Sequence, residues 1–119
     1  MGQIIFYKTN DLEKIQSFYQ EKLNFDLWLD QGSCKILKGK NLLIGFCEGE
    51  VKEEETIITF FYKTKEEVDL IYNKYFNNYK RPIENKKFNI YQFFAKDPEG
   101  RILEFQHFLH PIDWVWDKV

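Results

Sequence analysis

At 119 residues and 14.5 kDa, with 44% apolar and 18% aromatic residues, the chain has the size of one compact domain and can build a core without staples. A formal net charge of −2, with lysine and glutamate interspersed throughout, leaves no basic stripe for a phosphate backbone, so nucleic acid is not an expected partner. No run approaches the roughly 18 apolar residues of a membrane span, and "MGQIIFYKTND" has neither the charged nor the apolar region of a secretory leader, so a cytoplasmic protein with no membrane partner is expected.

In chain order, "QIIFYKT" reads as a short apolar strand and "NDLEKIQSFYQEKL" as a helix. Asn10 is its expected cap and Glu13 closes a capping box, while Leu12, Ile15, Phe18, Tyr19 and Leu23 recur at helical spacing. Three strands follow in "FDLWLDQG", "SCKILKG" and "NLLIGFCEG", and then a charged linker, "GEVKEEE". The pattern then repeats. "TIITFFYK" is a strand and "TKEEVDLIYNKYF" a helix with Thr64 and Glu67 as its box and Val68, Ile71, Tyr72 and Tyr75 as its apolar face. A weak strand in "KRPIEN" contains Pro82, which argues for a sheet edge. "FNIYQFFAKD" and "RILEFQHFL" are joined by "DPEG", a type I turn with Asp97 first, Pro98 second and Gly100 fourth. The expected class is α+β, two βαβββ modules in one domain: module one over 1–50, linker 49–55, module two 56–110 and a tail over 111–119.

The hairpin around Lys40 and Asn41 sets Cys34 nearly opposite Cys47. Two cysteines are too few for a disulfide scaffold and are not spaced as a zinc motif, so reduced thiols packed in the core are expected, with Cys47 toward the helix layer. His107 and His110 are the only histidines, and with Glu104 they make a weak alternative metal set. Trp114 and Trp116 in the tail are expected to cover a pocket mouth or a subunit contact.

The doubled βαβββ plan, the helix "DLEKIQSFYQEKLNF" and the hairpin "DPEGRILEF" resemble the vicinal oxygen chelate superfamily, which includes glyoxalase I, extradiol dioxygenases and fosfomycin- and bleomycin-resistance proteins. The resemblance runs from about Gln3 to about His110 and implies paired modules curling into a cup-shaped mixed sheet with helices outside. It also implies a homodimer. In metal-using members the first and last strands of each module supply the ligands, positions that fall here at Ile4, Ile44, Ile57 and Glu104. One carboxylate among three isoleucines cannot hold a divalent ion, so no metal or other cofactor is expected.

Strand alternation then assigns Ile4, Phe6, Trp28, Ile44, Phe46, Ile57, Thr59, Phe61 and Gln106 to the wall of the cup with Glu104, and Leu27 and Leu29 to the helix side. An apolar wall with few polar groups is the make-up of a small-molecule pocket. A carboxylate there is a possible general base, or is paired with Lys8, Lys63 or a tyrosine. The expected function is metal-independent binding of an apolar or aromatic molecule, in the manner of the bleomycin-resistance branch. The alternative is a lyase, isomerase or dioxygenase using Glu104 or a non-standard metal site.

Overall fold

The computed structural model describes residues 2–52 and 56–112; Trp114 and Trp116 lie outside the described residues. The chain runs β1 (Ile4–Thr9), α1 (Leu12–Leu23), β2 (Asp26–Asp30), β3 (Cys34–Lys38), β4 (Leu43–Glu48), β5 (Ile57–Tyr62), α2 (Lys65–Tyr75), β6 (Ile83–Asn85), β7 (Ile90–Lys96) and β8 (Ile102–Phe108). Side-chain caps set where the helices start. Thr64 Oγ1 accepts from the Glu67 amide at 3.2 Å and donates to the Glu67 carboxylate at 3.0 Å, the expected box at α2. At α1 the cap is Asp11, which accepts from the Lys14 amide at 3.1 Å, and not Asn10. The Asn10 amide is engaged by Glu99 and the Asp11 amide by Thr9, so the chain turns into the helix one residue later. The helix ends at Asn24 with φ of 60°, and the Phe25 amide reaches back to the Tyr19 carbonyl while their rings pack edge to face.

Contacts divide the chain into two units. One is the first βαβββ module with the Asp97–Arg101 turn; the other is Thr56–Lys96 with the chain from Ile102. The first unit's sheet has strand order β1-β4-β3-β2 and the second's β5-β8-β7-β6, with β1–β4 and β5–β8 parallel and the remaining pairs antiparallel. β6, which follows Pro82, is an edge strand, as its proline requires. In each sheet one face is covered by the unit's helix; the other, the open face, carries the exposed Phe6, Ile57 and Phe94 beside the buried Ile36 and Gln92.

Under α1 lie Leu37, Ile44 and Phe46, with Phe46 5.0 Å from the Tyr19 ring. Under α2, Phe93 and Phe105 stack at 4.7 Å, and Phe76 and Tyr72 close over them. Ile44 and Phe46, expected on the open face, are each 1% exposed and belong to the core. Register explains the correction: Ile4 aligns with Leu43 and Phe6 with Gly45, which turns Ile44 and Phe46 to the helix. The same register reverses Cys47, which shares the open face with Lys8 and Gly45. Cys34 and Cys47 are register partners joined by a disulfide, so the expectation of reduced core thiols does not hold in this structure. Both cysteines are half-buried.

The turn after β7 is more than a connection. Asp97 Oδ1 accepts from the amides of Glu99 and Arg101 at 2.9 and 3.0 Å, and Gly100, with φ of 83°, returns its amide to the Asp97 carbonyl. Asp97 Oδ2 accepts from the Tyr19 hydroxyl at 2.9 Å and from Arg101 at 3.1 Å. The Arg101 guanidinium lies over the Tyr7 and Phe46 rings, 5.0 and 5.3 Å from their centroids, and donates to the Lys8 carbonyl. Burial, then the neighbouring Asp97 charge and its hydrogen bond, push the Tyr19 hydroxyl far above its usual range. Burial likewise pushes Tyr62 up to about 12.

Two outcomes follow from this packing. Phe46→Ala should lower the unfolding free energy in urea by about 3–5 kcal/mol, a core truncation, against no more than about 1 kcal/mol for the half-exposed Phe94→Ala. Because folding raises the pKa of Tyr19, its contribution to stability is complete below its unfolded value of 10.0 and is lost as the pH rises above it. Stability should therefore fall above that pH, and fall less steeply in Tyr19→Phe; an equal slope in the variant would contradict the assignment.

Candidate functional site

Glu104 sits mid-strand in β8 on the open face of the second sheet, between Thr59 of β5 and Phe94 of β7. The Thr59 hydroxyl donates to Glu104 Oε1 at 2.8 Å, so the carboxylate's partner is a neutral hydroxyl and not Lys8, Lys63 or a tyrosine. One row away stand Ile57, Ile102 and Lys96, and on the other side Phe61, Gln106 and Gln92. Phe61 packs edge to face on Phe108 at 5.9 Å, and the Gln92 amide oxygen accepts from Asn85 at 3.0 Å. Ile57 is 53% and Phe94 46% exposed, so hydrocarbon flanks the hydroxyl–carboxylate pair without covering it. This arrangement can hold a flat apolar body while Glu104 accepts a hydrogen bond or faces a cation.

Of the expected wall, Ile57, Thr59, Phe61 and Gln106 are brought together around Glu104. Ile4 and Phe6 lie on the open face of the first sheet. Trp28 is the extra residue of a β-bulge, where register shifts between Leu27 and Leu29, and is 51% exposed. Leu29 therefore aligns with Ile36, itself the partner of Gly45, and leaves the helix side expected for it. Phe94 was not among the expected residues, although the "DPEG" turn carried the signal: closing that hairpin pairs Lys96 with Ile102 and hence Phe94 with Glu104.

The two sheets are in equivalent register, Ile4 to Leu43 and Phe6 to Gly45 matching Ile57 to Ile102 and Thr59 to Glu104. Gly45, not Ile44, is thus the first-module counterpart of Glu104. A Cβ built on Gly45 would lie 2.3 Å from the Phe6 ring, so the aromatic occupies the space of a side chain there. At the four positions where the resemblance implies metal ligands stand Ile4, Gly45, Ile57 and Glu104, and this set does not fit a divalent ion. Glu104 and His107 point to opposite faces of β8, and His107 Nδ1 donates to the Tyr62 carbonyl at 3.0 Å. His110 Nδ1 is 3.1 Å from the Pro111 carbonyl oxygen. Among the described residues no three His, Cys, Asp or Glu side chains converge on one point.

A separate open depression of about 490 Å³ lies at the start of α1, lined by Thr9, Asn10, Asp11, Leu12, Glu13, Glu48 and Gly49. Its wall is acidic, with Leu12 as its one large apolar residue, and Asp11 and Thr9 are already spent on capping bonds. It lacks the apolar surface found around Glu104.

No protein-family model matches the chain, and no curated protein matches it. Solved structures do. A glyoxalase/bleomycin resistance protein/dioxygenase from Nocardioides is similar at a TM-score of 0.76 and 17% identity, over 92% of this chain and 84% of that one. The chain has the vicinal oxygen chelate fold. A fosfomycin resistance protein from Listeria monocytogenes shares it at a TM-score of 0.73 and 19% identity, over 88% of this chain and 90% of the other. A lactoylglutathione lyase from Agrobacterium tumefaciens does so at 0.73 and 14%, over 90% and 92%. At such identities the likeness establishes the fold, on which unlike chemistries are built. No helix among the described residues is long and apolar enough to cross a membrane.

The Phe6–Gly45 contact is testable within this fold. Gly45→Ala should destabilise the protein by about 1–3 kcal/mol, because the new methyl meets an aromatic ring. In Phe6→Ala/Gly45→Ala most of that loss should disappear; additive losses in thermal denaturation would show that the ring is not the obstacle.

Proposed function

We propose that the protein is a cytoplasmic homodimer that binds a small organic molecule without metal, an apolar or aromatic body lying on the open face of the second sheet with a hydroxyl or cationic amine at Glu104. The observation that carries this reading is the Thr59–Glu104 pair set among Ile57, Phe61 and Phe94. Thr59 donates one hydrogen bond to an anion that can accept several, which leaves acceptor sites on Glu104 for a ligand's donor. Metal independence rests on Ile4, Gly45 and Ile57, which offer no donor atom. The alternative, a lyase, isomerase or dioxygenase, requires Glu104 to act as a base or an ion to be gathered from other residues.

Two aromatic dyes serve as probes, neutral Nile red and cationic proflavine. Proflavine should bind the more tightly, lose about tenfold in affinity in Glu104→Gln, and lose affinity together with Nile red in Phe94→Ala. Chelator should leave both titrations unchanged. Dye binding indifferent to Glu104 and Phe94 would remove the site from this face, and a stoichiometric transition metal in protein purified without chelators would overturn the metal-free reading. Dimerisation is read separately by sedimentation equilibrium, where a monomer at micromolar concentration would overturn that part.

A further inference from the structure

Cys34 of β3 and Cys47 of β4 have their Cα atoms 4.0 Å apart across the ladder and are disulfide-bonded. Next to them the Glu48 amide donates to the Ser33 carbonyl at 2.9 Å, and the Gln31 amide to the Cys34 carbonyl at 2.8 Å. Both sulfur-bearing residues are half-buried on the face turned away from α1, so that helix does not cover the bond. Both strands are interior to their sheet: β3 is paired by β2 and β4, and β4 by β1 and β3. Opening the sulfur–sulfur bond therefore leaves each strand hydrogen-bonded on both sides. The core residues Leu37, Ile44 and Phe46 lie on the opposite face of the same strands, under α1 and away from the crosslink. The chain has two cysteines in all, so no third thiol can divert the bond within one molecule. A crosslink that α1 does not cover, between strands paired on both sides without it, can be opened and closed without unfolding.

We infer that the Cys34–Cys47 pair is a thiol–disulfide exchange site that takes external dithiols and small disulfides as its reaction partners. In the reducing direction the thiolate of an external dithiol attacks one cysteine sulfur. A new intermolecular sulfur–sulfur bond forms, the Cys34–Cys47 bond breaks, and its electron pair leaves on the other cysteine, which takes a proton. The second thiol of the dithiol then attacks its own mixed-disulfide sulfur, releasing the remaining cysteine as a thiol and the partner as a cyclic disulfide. Two electrons pass to the protein. Oxidised glutathione runs the sequence backwards, its sulfur–sulfur bond being reduced as the protein's forms. Register places the opened pair beside Gly45 and Lys8, so exchange changes what the first sheet presents on its open face.

The test is thiol counting on the whole chain in native buffer, independent of any ligand. After dithiothreitol treatment and alkylation, mass spectrometry should find both cysteines modified, with far-UV circular dichroism and gel-filtration volume unchanged. Removal of reductant and addition of oxidised glutathione should return both to the unmodifiable form. Cys34→Ser and Cys47→Ser should each fold and accept one glutathione as a mixed disulfide. A bond that yields to dithiothreitol only in denaturant, a chain that unfolds on reduction, or reduced cysteines that stay free with oxidised glutathione would each overturn the assignment.

Discussion

The carboxylate of Asp97 and the guanidinium of Arg101, four residues apart and both withdrawn from water, form the constraint on which the first unit is assembled. Burying two charges is costly, and the pair offsets that cost when the carboxylate's acceptor sites are well used. Asp97 meets that condition, since one oxygen takes two amides of its own turn and the other takes Tyr19 and Arg101. Arg101 is held in turn by the Lys8 carbonyl and by the faces of Tyr7 and Phe46. A turn from the second half of the sequence thus becomes part of the first unit, and Glu99 completes the join by accepting from Thr9 and Asn10 at the entrance to α1.

That cluster commits one face of the first sheet. With Tyr7, Phe46 and Tyr19 bound into the core around Arg101, alternation along β1 and β4 leaves Ile4, Phe6 and Gly45 on the other side. The second sheet obeys the same rule through Phe93 and Phe105, which leaves Thr59, Phe94 and Glu104 open. One frame is therefore built twice with different contents: where the second copy has a hydroxyl donating to a carboxylate, the first has an aromatic ring resting on a glycine. The chemistry of the two faces diverges because open positions carry little of the folding load, whereas their buried neighbours cannot change without opening a cavity.

Similarity in fold to a lyase and a resistance protein establishes the frame, and the residues set on that frame decide its chemistry. Ile4, Gly45 and Ile57 bring no side-chain donor atom to join Glu104. What the second face presents is an acceptor for a polar group within an apolar patch. The disulfide belongs to the other unit and joins two strands that are each paired on both sides.

The sequence by itself determined most features whose partners are near in the chain, the α1 cap excepted, where distant Glu99 takes the Asn10 amide and the cap falls on Asp11. The Thr64 box, the Asp97–Gly100 turn, the edge strand after Pro82 and the doubled βαβββ order are of this kind, because their partners are near in the chain and their residue types are restrictive. Tertiary structure decided the rest. The phase of β4 was unreadable because Gly45 carries no side chain to mark a face and Ile44 and Phe46 suit either one; only pairing with β1 settled it. Trp28 escaped its alternation through a bulge, and Asp97 and Arg101, legible as a turn, became a buried pair only when Tyr19, 78 residues away from Asp97, closed over them. Contacts at that separation depend on register and packing across the whole unit, and a local pattern of residues cannot encode them.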